Sequence, residues 1–206
     1  MDVAYLKEDS QLLKQNSAIQ QDEINRLRDV LKCYHGLSTP VVEFFHEKHY
    51  GYAGASRVVS TKHAAHKAFK NSNEWWMGKG FPAKLFFHFF TPVTVAKIGF
   101  STPATLDAWD QAPRDFALIA SMDRNCNAHS KWDMLRNVSH LFTHHSQEYI
   151  WSIPCNAVKP WLCYGIQVTA NSGNTCKTCV SVMNMKMYLI GEDWENNSDM
   201  RQKAIQ

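Results

Sequence analysis

Three tryptophans, Trp75, Trp76 and Trp109, stand in polar surroundings, and Asp107 and Asp110 flank the third. Indole rings stack on the apolar C–H faces of sugar rings, while neighbouring carboxylates and amides fix the hydroxyls. Asp107 and Asp110 would supply acceptors, and Lys62, His63, His66 and Lys67 would supply donors. The residues expected to contact a ligand are Trp109, Asp107, Asp110, Lys67, Asn174 and Trp75. The plainer alternative is that one indole of the Trp75-Trp76 pair fills the core.

Other chemistries find less support. His144-His145 lacks the His-Glu-x-x-His spacing of a helical zinc site, so no metal is expected. Cys176-Lys-Thr-Cys179 is a Cys-x-x-Cys without the two further ligands that zinc needs or the βαβ context of a redox motif. A local disulfide or two free thiols is the expectation there. No nucleophile elbow and no Gly-rich phosphate loop occurs, so the chain reads as a binding protein and not an enzyme, with no cofactor.

The 206 residues suffice for one well-buried domain and an appendage. The net charge of +3 is too mild for nucleic acid, which needs a concentrated basic stripe. No apolar run approaches a membrane span of about 20 residues. The first residues lack a basic and an apolar region, so no signal peptide is visible. The protein is then intracellular, exported by another route, or a trimmed mature form. Six cysteines permit disulfides without proving them. The sequons Asn137-Val-Ser139 and Asn196-Asn-Ser198 are compatible with secretion.

The elements that must position these groups are mostly strands. Leu85, Phe87 and Phe89 alternate with Phe86, His88 and Phe90, the pattern of a strand covered on both faces. Thr91-Pro92 reads as a tight turn into a second strand, Val93 to Phe100. Trp75-Trp76 with Gly78 and Gly80 reads as an aromatic, glycine-rich loop, and Arg57–Ser60 as a short strand. Thr61 to Asn73 reads as a loop with a helical turn. Further strands are expected at 115–122, 148–153, 161–169 and 181–190, and 171–178 reads as a loop. Many short strands between turn signals indicate an all-β sandwich or barrel.

The first 34 residues differ in kind. They contain no Gly or Pro. Val3, Ser10, Ser17, Ile24 and Leu31 occupy heptad position a, and Leu6, Leu13, Gln20, Leu27 and Tyr34 position d. Asp9, Asn16 and Glu23 at g face Lys14, Gln21 and Arg28 at e of a neighbouring helix, which favours a parallel coiled coil. Gly36 and Pro40 end the helix. Cys33 lies beside the seam, where parallel chains would bring its copies together.

Trp76-Met-Gly78, Lys84-Leu-Phe-Phe-His-Phe, Pro92–Gly99, Pro113–Ser121, Trp132, Tyr149-Ile-Trp-Ser-Ile-Pro154, Tyr164-Gly-Ile-Gln-Val168 and Met185–Leu189 follow one another in an order that resembles the coagulation factor V/VIII type C, or discoidin, domain. The resemblance covers roughly residues 50–190. It implies a jelly-roll β-sandwich, galactose-binding-like, whose loops at one end bind sugars, phospholipid head groups or partner proteins. It also implies that Trp76 plugs the barrel end and that the setting is extracellular or the cell surface. Secreted members often pair cysteines near the two domain ends, whereas Cys33 has no partner near residue 190. The expected organisation is a coiled-coil helix at 1–35, a linker at 36–49, a discoidin-like domain at 50–190 and a polar tail at 191–206. The expected function is an oligomeric glycan-binding protein; the alternative is a protein-docking or membrane-binding module held in the same oligomer. The ligand end is expected where the loops 62–80, 102–113 and 171–178 meet.

The g-to-e complementarity carries a test. Full-length protein at micromolar concentration should scatter light as a dimer or trimer, and removal of residues 1–34 should leave a folded monomer.

Overall fold

The computed structural model describes residues 20–21, 51–105, 108–173 and 175–189, with only the main chain of Trp109. Apart from Gln20 and Gln21, which are helical, the expected coiled coil, Cys33, the linker and the polar tail lie outside the described residues. Nine strands follow: β1 Gly51–Ala55, β2 Trp75–Lys79, β3 Ala83–Val93, β4 Val95–Ser101, β5 Pro113–Ser121, β6 Asp133–Ser139, β7 Glu148–Ser152, β8 Trp161–Asn171 and β9 Cys179–Leu189. They form two antiparallel sheets, β1-β3-β8-β5-β6 and β2-β9-β4-β7. This is the two-layer β-sandwich that the alternating apolar pattern demands, since each sheet must bury one face.

The strand β3 anchors the first sheet. Its Leu85, Phe87 and Phe89 enter the main core with Trp76, Phe100, Leu118, Tyr164 and Ile166. On its other face Phe86 is buried in a second, smaller cluster with the Cys126–Cys163 disulfide and Trp132. The Phe86 and Trp132 rings lie 5.1 Å apart, and Lys84 Nζ sits over Trp132 at 5.7 Å while donating to the Ala128 carbonyl. Coverage of both faces ends at Phe90, which is 56% exposed.

Three expectations need correction. The stretch 83–101 is not two strands around a tight turn. β3 pairs with β1 and β8, whereas β4 pairs with β7 and β9, so the chain crosses between sheets at Thr94. The Thr-Pro signal marked the end of one sheet's ladder, which a missing N–H produces equally well. Trp75-Trp76 is not a loop but β2, paired in register with β9. Gly78 belongs there because its missing side chain makes room for the Trp76 indole. Residues 57–60 contribute only an isolated bridge, Val58 to Gly78, and the first strand is β1.

Because β2 spans only Trp75 to Lys79, it covers β9 no further than Met183. The 3-10 turn Ala65–Phe69 packs beside it and inserts Ala65, Ala68 and Phe69 into the core. The Phe69 ring meets Phe87 at 5.4 Å. So the segment that reads as polar has a buried apolar side.

Of the two readings of the Cys-x-x-Cys, the local disulfide is the one present, and a second disulfide ties the 123–132 loop to β8. Cys126 pairs with Cys163 and Cys176 with Cys179, while Cys155 is free.

At the crossing, the buried Tyr164 hydroxyl accepts from the Val95 N–H at 3.1 Å. The Val93 and Lys159 carbonyls both lie 2.9 Å away, and its one proton serves one of them at a time. Burial pushes the Tyr164 phenol well above its ordinary 10.0. Tyr164→Phe keeps the packing but orphans a buried N–H, a cost of about 1–3 kcal/mol at neutral pH. A phenol raised by folding lends stability that is full below pH ~10 and is lost as pH climbs through its folded value. Denaturant titrations from pH 7 to 11.5 should therefore show the gap between wild type and Tyr164→Phe narrowing above pH ~10. A gap that stays constant would remove this phenol from the alkaline response.

Candidate functional site

The loops between strands gather at two ends of the sandwich. The register puts Lys79, Ala83, Pro113, Asn171 and Cys179 at one of them. Here the chain turns between β2 and β3, between β4 and β5, between β6 and β7 and between β8 and β9. Hydrogen bonds stitch these loops together. Ser172 N donates to the Ala112 carbonyl at 2.9 Å, and Gly80 N to the Thr178 carbonyl at 2.6 Å. Thr102 Oγ1 donates to the His144 carbonyl and accepts from Gln147 N, which joins the β4–β5 loop to the β6–β7 loop.

Asp110 is the central carboxylate of this end. It sits in the short 3-10 turn Trp109–Gln111. Its Oδ2 accepts from the Thr175 main-chain N–H at 3.1 Å and, in a very short bond, from the Thr175 hydroxyl. Gly173 lies so close to Asp110 that a Cβ would collide with its main chain and side chain. Asp110 Oδ1 and the Ser172 hydroxyl are both buried without a hydrogen-bond partner among the described residues. A buried acceptor without a partner is costly, so each such group calls for an explanation.

Two devices fix the β8–β9 loop. The Cys176–Cys179 disulfide closes it covalently. The Asn171 side-chain amide donates to the Cys176 carbonyl at 2.6 Å and to the Cys179 carbonyl at 2.7 Å. Neighbouring Gly80, at φ +89°, adopts a left-handed conformation that favours glycine, with the Arg57 guanidinium beside it. Nothing in the sequence singles out Arg57, which reads there as the first residue of a short strand.

The expected site residues fall into two groups. Asp110 joins the β4–β5 and β8–β9 loops. Asp107, Asn174 and the Trp109 side chain lie outside the described residues. Lys67 and Trp75 instead form a separate cluster on the flank at β2, away from the Asp110–Thr175 joint. Lys67 Nζ makes a short ion pair with Glu74, whose carboxyl is held below its usual range chiefly by that bond. The Trp75 ring tilts against His63 at 5.1 Å, and its Nε1 is buried without a partner among the described residues. Trp76 is fully buried in the main core, and only the tail of the 62–80 segment reaches the Asp110 end. Among the described residues no group of three or more His, Cys, Asp or Glu side chains could hold a metal ion.

No known family's sequence model matches this chain, and no curated protein matches it either. Solved structures do. A family 32 carbohydrate-binding module from a family 31 glycoside hydrolase of Clostridium perfringens is similar with a TM-score of 0.56 and 11% identity, over 71% of this chain and 96% of that one. A family 32 module of NanJ from the same genus and species, in complex with galactose, gives 0.52 and 10% over 66% and 92%. An F5/8 type C domain from Bacteroides fragilis gives 0.52 and 14% over 67% and 90%. The domain shares their two-sheet β-sandwich fold. At these identities the likeness establishes the β-sandwich fold and no more. Several of the similar structures are described as binding modules, some of them derived from enzymes.

The clamp at Asp110 predicts a local effect. Asp110→Ala removes two bonds to Thr175, so amide exchange at Thr175 should accelerate while the β5 and β8 amides stay protected. The global loss should be small, about 1–2 kcal/mol in a denaturant melt, because the joint lies at the surface.

Proposed function

We propose that the domain binds glycans at the end built by the β2–β3, β4–β5 and β8–β9 loops, as one copy in a coiled-coil oligomer. The observation that carries the reading is the Asp110 carboxylate, tied by Oδ2 to Thr175 while Oδ1 and the neighbouring Ser172 hydroxyl have no partner among the described residues. A small rearrangement of this joint would present both atoms to sugar hydroxyls. Trp109, Asp107 and Asn174 share these loops in the sequence, and Trp109 is the indole assigned to stack on a ring face. Arg57 beside Gly80 is a further donor at the same end.

Solved modules of the same fold lend support. One is described in complex with galactose, one with GalNAc-β-1,3-galactose and one with chitotriose. A shallow single-sugar site is weak, and gathering several copies through residues 1–34 multiplies its avidity without new contacts. The two disulfides suit an oxidising compartment, where extracellular glycans are met.

A glycan array followed by calorimetry with the strongest hit tests the reading. Trp109→Ala should cost roughly 1–3 kcal/mol of binding, the range for stripping one large apolar side chain. Asp110→Ala should abolish detectable binding of a weak sugar. Lys67→Ala and Trp75→Ala, on the flank, should leave affinity unchanged; a loss there would move the site to β2. Unchanged affinity in both Trp109→Ala and Asp110→Ala would rule out this end. Sedimentation with anionic liposomes, combined with a blank array, would favour the membrane alternative.

A further inference from the structure

The sequon Asn137-Val138-Ser139 lies within β6. Among the described residues this strand is the edge of the five-stranded sheet and pairs only with β5. In that register Val138 stands opposite Phe116 and packs against the main core, so Asn137, opposite Ala117, points to the outer face. Asn137 is exposed, and its side chain makes no hydrogen bond among the described residues. Its neighbours on the strand, Arg136 and Ser139, are exposed as well, and nothing described covers it. The same domain holds two disulfides. Disulfides and N-linked glycans are acquired in the same oxidising secretory compartment.

We propose that Asn137 is an N-glycosylation site and that its glycan shields the free edge of the five-stranded sheet. The modification joins Asn137 Nδ2 to the anomeric carbon of an oligosaccharide carried on a lipid diphosphate. The N–C bond forms, the bond from that carbon to the diphosphate oxygen breaks, and the amide nitrogen gives up one proton. The diphosphate leaves with its lipid. The Ser139 hydroxyl is read by the transferase while the chain is still extended. In the folded domain it donates to Asp115 Oδ1 at 2.7 Å, so folding occupies the hydroxyl but leaves the Asn137 amide open. The edge has reason to be covered. Among the described residues β6 has no neighbour along one side, so its main-chain groups there are open, and Met134 on the same strand is 60% exposed. A bulge where Leu118 and Ile119 meet β6, together with Arg136, interrupts the edge only in part. Arg136 Nη1 is itself engaged with the Ser152 carbonyl of β7.

The test is expression of the full chain behind a cleavable secretion leader in animal cells. The disulfide-bonded pool from cells and medium is mapped by peptide mass spectrometry with and without peptide-N-glycosidase. The expected result is a glycosidase-sensitive modification on Asn137, retained in Ser139→Thr and lost in Asn137→Gln. Peptides from the sequon at Asn196 are read separately. A disulfide-bonded pool in which Asn137 is entirely bare would overturn the site. For the shielding, wild-type protein is trimmed enzymatically after purification and compared with untrimmed protein by light scattering. Trimming should increase the apparent mass several-fold at high concentration, and equal masses would overturn the shielding.

Discussion

The sandwich depends on one passage of chain, the step from β3 to β4 at Thr94. A strand that leaves a sheet gives up its ladder partners, and the Val93 carbonyl and Val95 N–H do so beside the core. Val95 itself is fully buried. Buried main-chain groups without partners are costly, so a sheet-to-sheet crossing needs a local substitute for the ladder. The Tyr164 hydroxyl is that substitute, reaching over from the middle strand β8. Its ring also packs at 6.3 Å from Phe89 of β3. One side chain therefore fills the core, satisfies the crossing and ties the first sheet to the start of the second.

Once the crossing is fixed, the remaining geometry follows from strand lengths. β3, β8 and β9 are long, and each spans the sandwich from end to end. β2 and β7 are short edge strands of the second sheet. The gap above β2 is closed by the 65–69 turn. The opposite side is closed by Arg136, which bonds the Ser152 carbonyl, and by the ring cluster of Phe100, Phe142 and Trp151. At position 184 the second sheet absorbs an extra residue. Asn184 has φ 49°, and the β4–β9 register slips between Gly99 and Ser101. The bulge lets Val180 and Val182 on one side of it and Met185 and Met187 on the other all face the core.

Much of this was legible in the sequence, and the failures have physical causes. β3, β5, β8 and β9 were readable because they carry long apolar runs with period two, which nothing but strand burial explains. β2 was misread because two glycines in five residues look like a loop; one of them is space for the Trp76 indole and the other ends the strand. The β3–β4 crossing was misread because Thr-Pro breaks a ladder without saying whether the next strand joins the same sheet. The Cys126–Cys163 pair could not be deduced, since pairing depends on Phe86 turning outward and the 123–132 loop folding over it. At the candidate site, Asp110 was legible as a carboxylate in a loop. Its partner Thr175 was not, because a contact between residues 65 apart has no local signature. Lys67 and Trp75 were grouped with Asp110 by loop membership alone, and the shortness of β2 carries them to the flank instead.

The restraint of the Asp110 end bears on the kind of ligand it suits. A disulfide, the Asn171 amide, the Asp110–Thr175 joint and the Ser172–Ala112 bond each remove freedom from loops that would otherwise fray. A loop ordered in advance does not pay that entropy on binding. Such a surface gains most from a ligand that is itself rigid and presents fixed hydroxyls, since neither partner then loses much freedom. A long flexible peptide would lose its own entropy and would need a large apolar area in return. The described part of this end supplies carboxylate, hydroxyl and guanidinium groups; Phe100 and Phe142 beside it are turned inward and buried, while Leu141 of the β6–β7 loop is exposed. Polar groups held in place match a small polyhydroxylated ring better than a flexible peptide segment, which is what the chemistry of the loops, and not the fold alone, adds to the proposal of a sugar ligand.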